Sequence, residues 1–154
     1  MKPMKRRILP FLLALALILG LSGCGSAGGT LDMQTLAEDL LKNGGFSDEL
    51  WKIDDSMVEK LYNVSNYTQA LVYVGSGATA EELALFAFPS EDAAAQGLQK
   101  AQARLESQIA DYRTYLPQEV PKLQNAVVKQ WGSYVIVCVS PGSACEEIVA
   151  RYTR

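Results

Sequence analysis

Two runs rich in β-branched and aromatic side chains, residues 123–131 and 134–140, meet at the dipeptide Gly132-Ser133. A two-residue Gly-X loop closes a β-hairpin of the type II′ kind, and it fixes the register of both strands. Trp131 is then opposite Tyr134, Lys129 opposite Ile136 and Val127 opposite Cys138 on one face; Gln130 is opposite Val135, Val128 opposite Val137 and Ala126 opposite Val139 on the other. The second face is almost wholly apolar, so it is the face expected to meet helices. No other stretch limits the fold as tightly, because a one-residue slip would turn every one of these side chains to the wrong side.

The rest of the chain supplies partners for that hairpin. Residues 68–74 and 82–88 favour strand and are joined by the 75–80 loop, Gly-Ser-Gly-Ala-Thr-Ala. Pro89-Ser90 ends the second of them and starts a long helix, with Ala94, Leu98, Ala101, Leu105, Ile109, Tyr112 and Leu116 at steps of three and four. Ser90 suits its N-cap, Glu91 and Asp92 its positive end and Arg113 its negative end; Pro117 closes it. Leu36, Ala37, Leu40 and Leu41 mark an earlier helix begun by Asp32 and ended by Asn43-Gly44-Gly45. A second follows Asp54-Asp55, with Met57, Val58, Leu61 and Tyr62, after a short extended piece at 49–53. Pro141-Gly142 leads into a last helix carrying Ala144, Ile148, Val149 and Tyr152. The order strand, strand, helix thus occurs twice. The expected fold is α+β: an antiparallel sheet of about four strands with helices packed on one face.

Ahead of this domain, residues 1–23 have the form of an export signal. Lys2, Lys5, Arg6 and Arg7 precede an apolar run of about a dozen residues, too short for the roughly 20 that span a bilayer. The run ends in Leu21-Ser22-Gly23-Cys24, which resembles the lipobox of bacterial lipoproteins. That resemblance implies cleavage after Gly23 and a diacylglyceryl thioether on Cys24, and two acyl chains suffice for stable anchoring. Residues 24–30 read as the lipidated cysteine and a flexible tether, and 31–154 as one globular domain. The expected location is the extracytoplasmic face of the cell membrane, with the membrane contacted through the lipid.

Composition removes several kinds of chemistry. Histidine is absent, so Ser-His-Asp and Cys-His catalysis and the common zinc sites are excluded. Four of the 14 Lys and Arg precede residue 8, leaving ten against 17 acids, about −7 for the mature part; a nucleic-acid partner is not expected. Gly75, Ser76 and Gly77 match neither a nucleophile elbow nor a phosphate loop, although their backbone N–H groups suit a small anion nest. The acid pairs Asp54-Asp55, Glu81-Glu82, Glu91-Asp92 and Glu146-Glu147 mostly stand where helices begin, where the helix dipole accounts for them. A Ser-Lys nucleophile would need Lys52, Lys60 or Lys129 beside a serine. No cofactor or metal motif is present. Cys138 lies on the hairpin face opposite the one expected to hold the last helix, so Cys138 and Cys145 are expected as free thiols.

Three stretches, residues 73–86, 115–127 and 132–136, resemble a family of small Gram-positive lipoproteins classed as domain of unknown function 4358. The first, Tyr-Val-Gly-Ser-Gly-Ala-Thr-Ala-Glu-Glu-Leu-Ala-Leu-Phe, is the most specific. The resemblance implies an exported, lipid-anchored single domain and carries no catalytic residues with it. The expected function is noncatalytic: a binding or accessory domain for an envelope protein or peptide, with Gly75, Ser76, Gly77, Thr79, Trp131 and Tyr134 as the candidate surface. The alternative is an envelope enzyme acting through carboxylates or a Ser-Lys pair.

Overall fold

The computed structural model describes residues 29–154. Gly23, Cys24 and the export signal lie outside the described residues, as does most of the tether. Five helices and five strands follow in the order α1 (Met33–Asn43), β1 (Trp51–Lys52), α2 (Asp55–Tyr62), β2 (Gln69–Val74), β3 (Glu82–Ala87), α3 (Glu91–Tyr115), α4 (Val120–Gln124), β4 (Val127–Trp131), β5 (Tyr134–Val139) and α5 (Ala144–Tyr152). The strands form one open sheet, β1-β2-β3-β5-β4, with every neighbouring pair antiparallel.

The α+β class is as expected, and so is the hairpin register. Trp131 pairs with Tyr134, Lys129 with Ile136, Val127 with Cys138, Gln130 with Val135 and Val128 with Val137. Gly132 takes φ +55° while Ser133 is not in the positive-φ region, as a type II′ turn requires. Ala126 does not join the ladder; its N–H donates to the carbonyl of Leu123, because residues 120–124 are wound into α4 instead of extended.

The structure departs from the expectation slightly in strand count and more in the placing of the helices. The extended piece at residues 49–53 contributes β1, which pairs Trp51 with Val74 and makes the sheet five-stranded. The helices also cover both faces of the sheet. On one side Leu71, Leu83, Leu85, Ile136 and Cys138 pack with Leu36, Ala37 and Leu40 of α1 and with Ile148 and Val149 of α5. On the other, Val72, Ala84, Phe86, Val135 and Val137 pack with Val58 and Tyr62 of α2 and with Ala94 and Ala101 of α3. The physical reason lies in the two central strands. Glu82 to Phe86 of β3 and Val135 to Val139 of β5 are each five consecutive buried residues, which alternation with a solvated face would forbid. The repeated strand-strand-helix order is therefore real as an order, but α3 and α5 lie on opposite sides.

That placement corrects the cysteines. Cys138 is on the face foreseen, but α5 packs on that same face, and Cys138 and Cys145 are joined as a disulfide with their Cα atoms 6.6 Å apart. The bond ties the end of β5 to the first turn of α5.

The approach of α3 to the sheet depends on Gly97. A Cβ there would come within 2.2 Å of the Phe88 ring, which is itself buried, so a larger residue would push the helix from the sheet.

Candidate functional site

The register gives the sheet two ends. Val74, Glu82 and Val139 lie together at one, and Gln69, Ala87, Tyr134 and Trp131 at the other. The five-residue step along β3 between them is about 17 Å. The 75–81 connection and the Trp131–Tyr134 pair are therefore at opposite ends, and the structure does not bring the candidate residues together into one surface.

At the loop end the Gly-Ser-Gly donors already have an acceptor within the chain. The Asp48 carboxylate accepts from the Ser76 N–H at 2.9 Å, the Ser76 hydroxyl at 2.8 Å and the Thr79 hydroxyl at 3.1 Å. The Ser76 N–H, followed by these hydroxyls, holds the Asp48 carboxyl below its ordinary value. The anion nest is thus filled by a side chain of the protein. Gly75 leaves room for this brace, since a Cβ would stand 2.6 Å from Asp48 Oδ2 and the carboxylate would have to shift. Gly77, at φ +91°, forms the open tip of the loop.

Just after this loop Glu81 immediately precedes β3 and Glu82 begins it, and successive residues of an extended chain face opposite sides. Glu81, with its side chain fully buried, accepts from the N–H groups of Ser47 and Asp48 at 2.7 and 3.0 Å, from the Ser47 hydroxyl, and from Lys122 Nζ at 2.8 Å. Lys122 also meets Glu119 at 2.9 Å, and Glu119 accepts from the Ala80 N–H at 3.0 Å. Burial pushes the Glu81 carboxyl up, but Lys122 and the Ser47 donors outweigh it and hold the group below its ordinary value. Burial likewise pulls Lys122 down, and its two carboxylates outweigh that and hold it above the ordinary lysine value.

On the α2–α3 side, Glu82 accepts from Arg104 Nη2 at 2.6 Å and Nε at 3.3 Å, and from the Tyr62 hydroxyl. The Arg104 guanidinium also lies over the Tyr62 ring, 4.9 Å from its centroid. Burial, then the Glu82 charge, raises the Tyr62 hydroxyl well above its ordinary value, so it stays protonated as a donor. The pair Glu81-Glu82 therefore belongs to a strand start, unlike Asp54, which caps α2, and unlike the acids in the first turns of α3 and α5. Its two carboxylates diverge to separate cations and form no dyad.

Beside Lys122 the surface is hollowed into an open concavity of about 730 Å³, lined by Asn125, Ser140, Gly142, Ser143 and Glu146 among others. Its lining mixes these polar groups with Pro121 and Pro141, and it is open to solvent. Among the described residues no group of three or more His, Cys, Asp or Glu is placed to hold a metal ion.

At the far end Trp131 and Tyr134 stack with centroids 6.1 Å apart. Both are half-buried against the α1–α5 cluster, so the patch is only partly free. Lys129, the nearest lysine, donates to the Thr153 hydroxyl.

Sequence reasoning missed Asp48, Arg104, Glu119 and Lys122. Nothing local marks them: each is an ordinary polar residue of a loop or helix, and their partners are at least 22 residues away, apart from the Glu119–Lys122 contact.

These features define an α+β protein with an open antiparallel sheet covered on both faces and two groups of ion pairs at one end. The family model for the domain of unknown function DUF4358 matches residues 42–140, and the chain belongs to that family. Comparison with curated proteins and comparison with solved structures returned no match. Among the described residues no helix is long and apolar enough to cross a membrane.

Proposed function

We propose that this protein is a membrane-anchored extracytoplasmic lipoprotein whose domain binds an envelope protein or peptide without catalysing a reaction. The observation that carries the noncatalytic part is the pairing at the loop end: Glu81 and Glu119 share Lys122, and Glu82 holds Arg104. Ionisable groups serving a reaction are commonly left poised in a cleft, with values shifted toward neutrality. Here Glu81 and Lys122 are shifted the other way, each toward its charged form. Of the lysines considered for a Ser-Lys pair, Lys129 donates to the Thr153 hydroxyl and not to a serine, and the further pair Ser47 and Lys122 is separated by Glu81, which accepts from both. The anchoring part is supported by the basic start, the apolar run and Leu21-Ser22-Gly23-Cys24 in that order.

The binding surface is assigned to the loop end, where Ser76, Gly77 and Ala78 are exposed on a loop braced by Asp48. A photocrosslinking amino acid at Ala78 of the anchored protein, illuminated in its own cell, is expected to give an adduct of discrete mass. The same group at exposed Lys100, on α3, is expected to give none. Equal labelling at both positions, or none at Ala78, would overturn the assignment. Intact mass of wild type and Cys24→Ala tests the anchor: the lipid mass is expected in the first and lost in the second.

A further inference from the structure

The first described residues locate where the tether joins the domain. Gly29 lies against the Trp131 indole, so close that a Cβ on it would be 3.3 Å from Cη2. Leu31 then turns into the core, and Asp32 caps α1. The chain thus enters at the Trp131–Tyr134 end of the sheet, about 17 Å from the 75–81 loop. Cys24 stands five residues before Gly29, and five fully extended residues reach at most about 18 Å. A lipid on Cys24 therefore keeps this end near the headgroups.

Trp131 and Tyr134 are half-buried, with part of each ring left at the surface. Rings with one apolar and one polar side are the side chains that settle at the boundary between headgroups and acyl chains. The body of the domain carries excess negative charge, and Glu91 and Asp92 are near this end, so anionic headgroups offer it no attraction. A contact there must be apolar and shallow. Tethering lets a weak one count, since it holds the rings at high effective concentration beside the bilayer.

We propose that the Trp131–Tyr134 end of the hairpin seats in the lipid interface and acts as a second contact beside the acyl chains. It orients the domain with the 75–81 loop pointing away from the membrane. This rests on the anchored reading above and adds a specific face and a direction.

The chain has two tryptophans, and they report on the two ends: Trp131 at the hairpin end, and Trp51, 59% exposed, paired with Val74 at the loop end. The mature lipidated protein is placed in vesicles of phosphatidylcholine and phosphatidylglycerol, with and without bromine on the acyl chains near the headgroup. Trp51→Phe, which retains Trp131, should lose roughly half its fluorescence to the brominated lipid. Trp131→Phe, which retains Trp51, should lose almost none. Added salt should leave the difference unchanged, because no attraction between charges holds the contact.

Equal quenching of both, or none of Trp131 in protein that carries its lipid and floats with the vesicles, would overturn the seating while leaving the anchor intact. Protein without lipid mass would overturn both. A blue shift of Trp131 that rises with protein concentration in the absence of vesicles would assign the patch to a second copy and overturn the proposal.

Discussion

At the loop end of the sheet, Glu81 and Glu119 meet Lys122 and, on the other face, Glu82 meets Arg104; at the hairpin end, Trp131, Tyr134 and the incoming Gly29 close the structure with apolar surface. One sheet is thus finished in two ways. Charges out of water are tied to particular partners, and removing one leaves another uncompensated. Ring packing is graded, and its loss scales with the area uncovered. The loop end should therefore be sensitive to single charges and to pH, and the hairpin end to neither.

The sharpest way to break this contrast is to strand a charge. Arg104→Met leaves Glu82 buried without its cation and is expected to cost about 3 to 5 kcal/mol in urea unfolding. Combining it with Glu82→Leu should recover most of that loss, because no charge then remains unpaired. A small loss in the single variant would show that water reaches Glu82 and that the loop end is not dry.

The disulfide comes next. Cys138 and Cys145 enclose a short loop, and on the chain-entropy account reduction should cost about 2 to 3 kcal/mol. Alkylating denatured, unreduced protein that carries Cys24→Ala should add no label, and reduction beforehand should add two. Labelling without reduction would return the pair to free thiols.

Trp131→Ala should cost about 2 kcal/mol, below the 3 to 5 of a fully buried ring, since the residue keeps some exposure. That loss should not vary with pH. A full core penalty would mean the ring is closed off and unfit to meet a bilayer.

Acid and alkali give a smaller, two-sided test. Glu81 is held below its ordinary 4.5, so its contribution is fully present above that value and is lost as pH falls through the lower folded value. Lys122 is held above its ordinary 10.5, so its contribution is present below that value and is lost as pH rises through the higher folded one. Glu81→Gln should flatten part of the acid limb. The rest belongs to Asp32, Asp39, Asp48 and Asp54, which are also held low. Unfolding free energies across the pH range would measure both limbs.

The smallest expected effect is local. Asp48→Asn should weaken the brace on the 75–81 loop and speed hydrogen exchange at the Ser76 amide, with exchange in β4 and β5 unchanged.

Local rules carried the sequence reading far. Gly132-Ser133 set a hairpin register that holds pair for pair along β4 and β5. Asp32, Asp54 and Ser90 each accept from the backbone N–H three residues on, as N-caps do. Such features depend on neighbours a few residues away, and a single chain displays them. What it does not display is which apolar face receives which helix. Val135 and Val137 on one side, and Ile136 and Cys138 on the other, are about equally apolar, so the second covered face was hidden and with it the disulfide. The ionic end was hidden for the same reason: Glu82 waits for Arg104, 22 residues on, and Glu81 for Lys122, 41 residues on. Turns, caps and register were determined by the sequence alone, because their energies come from adjacent backbone. Helix sides, cysteine pairing and the matching of buried charges were decided only by tertiary structure, because burial makes a charge or thiol choose its partner, and burial does not exist until the chain has closed.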